Sequence, residues 1–291
     1  MPLEPITVLD NDEAALSNRQ ALFIDRNTAA HLGHDTLKAI REGSYRLKDG
    51  TEVDWSAAVT AAVDAKATIP PDMQLPEASA GHWPTTSLTV ANNTTLRAAK
   101  RLVDEGVRPL VLNMANGISP GGRFLSGARA QEEVLCRSSA LHATLDRDAM
   151  YSTHRARSDY ESSDWMILSP RVPVHRTDGG EALDEYWPCD FITAAAPVAH
   201  RVGQPHSSQL MARRIERLLQ IAAAHDYETL VLGAWGCGAF GNDARATAAS
   251  FRSALTGTFD SCFQHVEFAI TDWSPERKFL GPFRDEFTGR A

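Results

Sequence analysis

The sequence is poor in the features that would tie it to a metal, a disulfide framework or a membrane. Its four cysteines, Cys136, Cys189, Cys237 and Cys262, lie far apart and form no C-x-x-C pair, so neither zinc-ligand spacing nor a disulfide-stapled fold is expected. His142, His154, His175, His200 and His206 likewise lack metal spacing, and are expected at the surface or in caps. No apolar run reaches the length that spans a bilayer. The acidic start, MPLEPITVLDND, has neither the basic region nor the apolar core of a signal peptide. A cytoplasmic setting, or a nuclear one in a eukaryote, is the expectation. Positive charge is also scarce. The formal net charge of −8 argues against a general affinity for nucleic-acid backbone, so an anionic ligand has to be held by local geometry. Two nucleotide signatures are missing as well. Without G-x-x-x-x-G-K-[ST] there is no support for triphosphate hydrolysis, and without G-x-G-x-x-G in the first strand–helix turn a Rossmann dehydrogenase is disfavoured.

What the chain does have is alternation. Leu88–Val90, Leu110–Met114, Met166–Leu168 with Val172–His175 (broken at Pro170), Phe191–Ala196, Thr229–Leu232 and Val266–Ile270 read as strands. Between them, Thr94–Glu105 (capped by Asn93 or Thr94), Gln131–Leu145, Ser207–His225 and a segment from Asn242 or Asp243 to Leu255 read as helices. Strands separated by helices imply an α/β layered fold with a mixed, largely parallel sheet. Before this core, residues 1 to about 16 read as a loose lead-in. Arg19–Ile40 reads as a helix with breaks that ends at Gly43, Tyr45–Trp55 as a hairpin turning at Asp49-Gly50, Ala57–Ala65 as a short helix and Pro70–Pro84 as irregular. Residues 1–85 lack a core of their own, so they are expected to pack as an extension on the same domain as the 86–291 core.

Two glycine-rich loops follow strands. The first holds Asn116, Gly117, Ser119, Pro120, Gly121, Gly122 and Gly127, and runs into Gln131-Glu132-Glu133 at a helix start. The second, Gly233-Ala234-Trp235-Gly236-Cys237-Gly238-Ala239-Phe240-Gly241, carries four glycines in nine residues and leads to a capped helix. Loops of this kind present backbone N–H groups to anions. In an open α/β sheet both would leave the carboxyl ends of their strands, where ligands bind. Two such loops suit a diphosphate, with Trp235 and Phe240 as candidate flat surfaces. Plainer readings exist for each residue. The glutamates at a helix start complement its dipole, Pro-Gly-Gly is an ordinary turn, Trp235 is better placed in the core, and Cys237 is a small residue filling a crowded loop. Arg213, Arg214 and Arg217 read as a solvated helix face.

Taken together, these segments resemble the macrodomain-fold poly(ADP-ribose) glycohydrolases of the compact microbial type. That family's signature is three glycines, a short spacer and Gln-Glu-Glu. Here it stands as Gly121-Gly122-Arg123, seven residues, then Gln131-Glu132-Glu133. The likeness extends through Asp35–Tyr45, Ser169-Pro170-Arg171-Val172-Pro173-Val174, Ile192–Pro197 and Gly233–Asn242. It implies a three-layer α/β/α macrodomain with an N-terminal helical extension. The implied substrate is ADP-ribose carried on a protein or polymer, with no cofactor and no metal, and the protein is expected to be monomeric. By the resemblance Glu133 is the general acid/base and Glu132 orients the ribose. Asn116 contacts the distal ribose, and Gly121 and Gly122 approach the diphosphate. Gly236, Cys237, Gly238, Ala239 and Gly241 form the second phosphate loop, and Phe240 packs on the distal ribose. Gln131 completes the motif. Arg123 departs from the pattern, where it either reaches phosphate or obstructs a continuing polymer. The readings to be separated are therefore polymer cleavage, removal of single units (from arginine, for example), and a reader that binds without cleaving.

Overall fold

The computed structural model describes residues 3–76 and 81–289. Its strands are β1 (Ile6–Leu9), β2 (Ser44–Arg46), β3 (Glu52–Asp54), β4 (Ala67–Ile69), β5 (Ser87–Ala91), β6 (Pro109–Ala115), β7 (Met166–Arg176), β8 (Ala182–Ala195), β9 (Thr229–Leu232) and β10 (His265–Ala269). The helices are α1 (Asp12–Leu22), α2 (Arg26–Glu42), α3 (Ser56–Ala65), α4 (Thr95–Asp104), α5 (Gln131–Ser138), α6 (Leu141–Leu145), α7 (Ala149–Arg155), α8 (Ala199–Val202), α9 (His206–Ala224), α10 (Ala244–Thr256) and α11 (Leu280–Thr288). Eight strands form one sheet in the order β1-β5-β10-β9-β6-β8-β7-β4. Neighbours from β1 to β8 in that order are parallel, and β7 runs antiparallel to both β8 and β4.

Short runs of apolar residues make the central strands because both faces of the sheet are covered. Leu110 and Leu112 face one core with Leu218 of α9, Phe251 of α10 and Phe283 of α11. Val111, pointing the other way as the two-residue period of a strand requires, faces a second core with Val59 of α3, Leu96 of α4 and Leu135 of α5. The result is the expected three-layer α/β/α arrangement.

Several local expectations are met. Thr94 and Asp243 are the caps of α4 and α10, Gly43 closes α2, and β2 and β3 pair as a hairpin. Others are corrected. Residues 3–16 are not loose, because β1 adds a parallel edge strand beside β5 and Asn11 caps α1 by accepting from the Ala14 N–H. The segment Gln131–Leu145 is two helices. Ser139 is extended and bridges to Val174, its hydroxyl donates back to the Leu135 carbonyl and it accepts from the Leu141 N–H. Serine side chains compete with the helix ladder in this way. Pro170 does not divide β7. A register shift between Ser169 and Val172 absorbs it, as a bulge does for a residue without an N–H. Arg214 is not on a solvated face. It is buried, paired with Asp164 and donating to the Ala195 carbonyl. His154 and His175 are buried as well. Of the stretch Pro70–Pro84, residues 70–76 and 81–84 hold no helix or strand, and residues 77–80 lie outside the described residues. Among the described residues, no helix is long and apolar enough to cross a membrane.

Candidate active site

The sheet has a topological switch between β9 and β6. From β6 the chain proceeds to β7 and β8 on one side, and from β9 to β10 on the other. The loops leaving these two neighbours therefore turn apart and open a crevice at their carboxyl ends, the usual ligand site of such sheets. Leu110 stands opposite Leu230 and Val111 opposite Val231, so the two glycine-rich loops emerge side by side.

The glutamate pair lies in the first turn of α5, yet neither carboxylate caps that helix. Glu132 Oε2 accepts from the Asn116 N–H at 2.7 Å, and Glu133 Oε1 accepts from the Arg123 N–H at 3.0 Å. Both reach across to the first loop and are nearly closed off from solvent, with side-by-side exposures of 3% and 8%. Burial lifts the Glu132 carboxyl well above the ordinary carboxylate range, and the Glu133 charge pushes the same way against the Asn116 N–H, which lowers it.

The first loop keeps most of its amides for itself. Asn116 Oδ1 accepts from the N–H groups of Ile118 and Ser119, and the Gly122 N–H donates to the Ser119 carbonyl. With the two glutamates taking the amides of Asn116 and Arg123, this loop is a frame for carboxylates more than the open anion cradle expected of it. The second loop is different. The consecutive N–H groups of Gly238, Ala239 and Phe240 donate to no acceptor among the described residues, and three such groups in a turn make an anion-binding nest. Asn242 holds the loop's shape, with its Nδ2 donating to the Pro197 and Gly236 carbonyls and its Oδ1 accepting from Ser207. The Ala199 N–H donates to the Phe240 carbonyl, which fastens the loop to the start of α8.

The other expected residues sort themselves by what they touch. Gln131 spends its side chain on β6, accepting from the Met114 N–H at 3.0 Å and donating to the Leu112 carbonyl at 2.6 Å. Trp235 is in the core and Phe240 is half-buried beside it. Burial pushes the Cys237 thiol up to about 12, so it is no nucleophile at neutral pH. Arg123 is exposed, and its guanidinium makes no hydrogen bond or ion pair among the described residues.

Two contributors escaped the sequence reading. Asn113 lies fully buried beneath Glu132, with its Nδ2 donating to Thr193 Oγ1 and its Oδ1 unpartnered. A polar residue inside the apolar run of β6 was the available signal. His154 engages the Gly117 carbonyl through Nδ1 and Ser163 Oγ through Nε2, bracing the first loop from α7. Nothing in its surroundings along the chain pointed to that contact.

The fold defines the class, a three-layer α/β/α protein of macrodomain type. Residues 33–177 match the family described as microbial-type PARG, catalytic domain. The chain is similar to the poly(ADP-ribose) glycohydrolase of Thermomonospora curvata, at 35% identity with a TM-score of 0.84, covering 90% of this chain and 100% of that one. Against the same organism's enzyme bound to the inhibitor ADP-HPD, the values are 34%, 0.81, 89% and 99%. Against the Deinococcus radiodurans enzyme in complex with ADP-ribose, they are 35%, 0.74, 80% and 98%. No curated protein matches the chain. This chain belongs to the microbial-type poly(ADP-ribose) glycohydrolase family.

Proposed function

We propose that the chain hydrolyses the ribosyl glycosidic bond joining ADP-ribose units, with Glu133 as general acid and then general base. Glu133 Oε1 is held by the Arg123 N–H, which leaves Oε2 for the substrate. Protonation of the leaving oxygen by that carboxyl breaks the C1″–O bond as positive charge builds on the ribose. Water then attacks C1″ and returns its proton to the carboxylate. Glu132 orients the ribose hydroxyls and Asn116 meets the distal ribose. Gly121 and Gly122 lie along the diphosphate, while Gly236, Cys237, Gly238, Ala239 and Gly241 surround it, with Phe240 against the sugar. Gln131 acts at one remove by fixing the start of α5 to β6.

The observation that carries this reading is the pair of adjacent, nearly solvent-free carboxylates, each held by a different backbone amide of one loop. A module that only binds ADP-ribose has no use for a proton donor in that position. Residues 1–85 act as a layer on the 86–291 core, a reading supported by the place of β1 and β4 in the same sheet. A monomer acting in the cytoplasm completes the proposal. Removal of single ADP-ribosyl units from a protein side chain uses the same carboxyl geometry, and Arg123 is the residue that distinguishes the two substrates.

The test is Glu133→Gln. Turnover on poly(ADP-ribose) is expected to fall by roughly 10³-fold, within the usual range for a lost general acid/base, while calorimetric affinity for ADP-ribose is retained. An unchanged rate removes Glu133 from the mechanism.

A further inference from the structure

Four arginines lie in the first loop or bond to it. Arg26 Nε donates to the Ser126 carbonyl at 2.9 Å, Arg129 Nη1 to the Ile24 carbonyl at 2.8 Å and Arg155 Nη1 to the Ile118 carbonyl at 2.8 Å. Arg123 lies between Ile118 and Ser126 along the chain, with its own N–H on Glu133. All four are exposed, and none pairs with a carboxylate among the described residues. By contrast, Arg46, Arg101, Arg157 and Arg277 find acidic partners. Three of the guanidinium groups are fixed by backbone carbonyls, and a guanidinium bound through one nitrogen still has donors to present. This arginine rim therefore carries uncompensated positive charge on the loop whose Arg123 N–H holds the proposed acid.

The leaving group that Glu133 would protonate departs from a carboxyl held by the Arg123 N–H. The leaving groups differ in charge. A continuing polymer brings the pyrophosphate of its next unit, a serine or glutamate side chain brings no phosphate, and an arginine side chain brings a cation. We infer, resting on the proposed glycohydrolase activity, that Arg123 with Arg26, Arg129 and Arg155 forms a leaving-group subsite for the phosphates of the adjacent ADP-ribose unit. The site is thereby selective for polymer over single units, and least suited to ADP-ribosyl-arginine. Arg123 on this account is a specificity determinant, not an obstruction.

The experiment compares poly(ADP-ribose) with a serine-linked mono-ADP-ribosyl peptide across a salt series. The wild-type KM for polymer is expected to rise more steeply with salt than that for the peptide, and Arg123→Gly to flatten the polymer slope by about one. The ratio of polymer to peptide kcat/KM falls about tenfold in the glycine variant, and Arg123→Lys restores the salt slope because the charge returns. The paired change Arg129→Gln with Arg155→Gln lowers the same ratio. A gain in polymer cleavage by Arg123→Gly means obstruction and overturns the inference, as does an unchanged salt slope. If the wild type cleaves neither substrate, it is the glycohydrolase reading that fails. The rim is then judged by binding alone, with an ADP-ribose dimer against the monomer on the Glu133→Gln protein. A dimer advantage that shrinks with salt and with added Arg123→Gly supports the subsite, and equal affinities end it.

Discussion

Gly122 and Glu133 are fitted to each other: a Cβ on Gly122 would fall far inside van der Waals contact of Glu133 Oε1 and 3.0 Å from Glu132 Oε2. Gly122 also has φ +61, a conformation that costs other L-residues about 1–2 kcal/mol. The turn is therefore a mould for the carboxylate. Gly122→Ala is expected to lose about that much stability, and its methyl displaces the Glu133 carboxyl. A misplacement of about 1 Å can cost roughly 100-fold in rate, so turnover should fall by at least that much in protein that remains folded by thermal melting. A folded variant with wild-type kcat would show that the carboxyl has no fixed position to lose.

Glu132 makes a pH-dependent prediction. Burial first, and Glu133 second, raise its folded-state pKa well above the ordinary carboxylate value. Between the unfolded value and that raised value the folded state binds more protons than the unfolded one, so stability falls as pH rises through the window. The favourable contribution is fully present only below the unfolded pKa. Glu132→Gln has no proton to lose. Its amide can still accept from the Asn116 N–H through oxygen. The variant is expected to match the wild type at acid pH and to exceed it increasingly above the ordinary carboxylate range. The difference grows by at most about 1.4 kcal/mol per pH unit. Denaturant melts across a pH series would read this, and a difference that does not change with pH would mean that Glu132 is charged in the folded protein.

The layered fold was legible because its evidence is repetitive. Leu110–Leu112 and Leu230–Leu232 are buried on both faces, and such strands announce themselves as unbroken apolar runs. The site was legible because Gly121-Gly122 and Gln131-Glu132-Glu133 are close along the chain. What could not be read depends on distance. Nothing near Ile6–Leu9 says that β5 lies beside it. Nothing near Ser139 says that Val174 will capture it, and the arginine pattern of α9 conceals the carboxylate and carbonyl that bury Arg214. The unlike roles of the two loops were hidden for the same reason. Both are glycine-rich, and only their hydrogen bonds reveal that one frames carboxylates while the other leaves its amides open.

That second loop offers the sharpest separation of folding from binding. A Cβ built on Gly238 meets nothing within 4 Å, and the residue is absent from the positive-φ glycines. Its backbone therefore suits any L-residue, and the fold has no need of a glycine there. The N–H groups of Gly238, Ala239 and Phe240 are consecutive open donors, so a methyl at position 238 occupies space that a phosphate held by those amides would approach. Gly238→Ala is expected to leave stability within about 0.5 kcal/mol of wild type, as substitutions away from contacts do. Its affinity for ADP-ribose should fall about tenfold, equivalent to roughly 1.4 kcal/mol, when measured by calorimetry. Unaltered affinity would place the diphosphate elsewhere, and unaltered affinity together with unaltered turnover would leave the Gly236–Gly241 segment with no part in substrate binding.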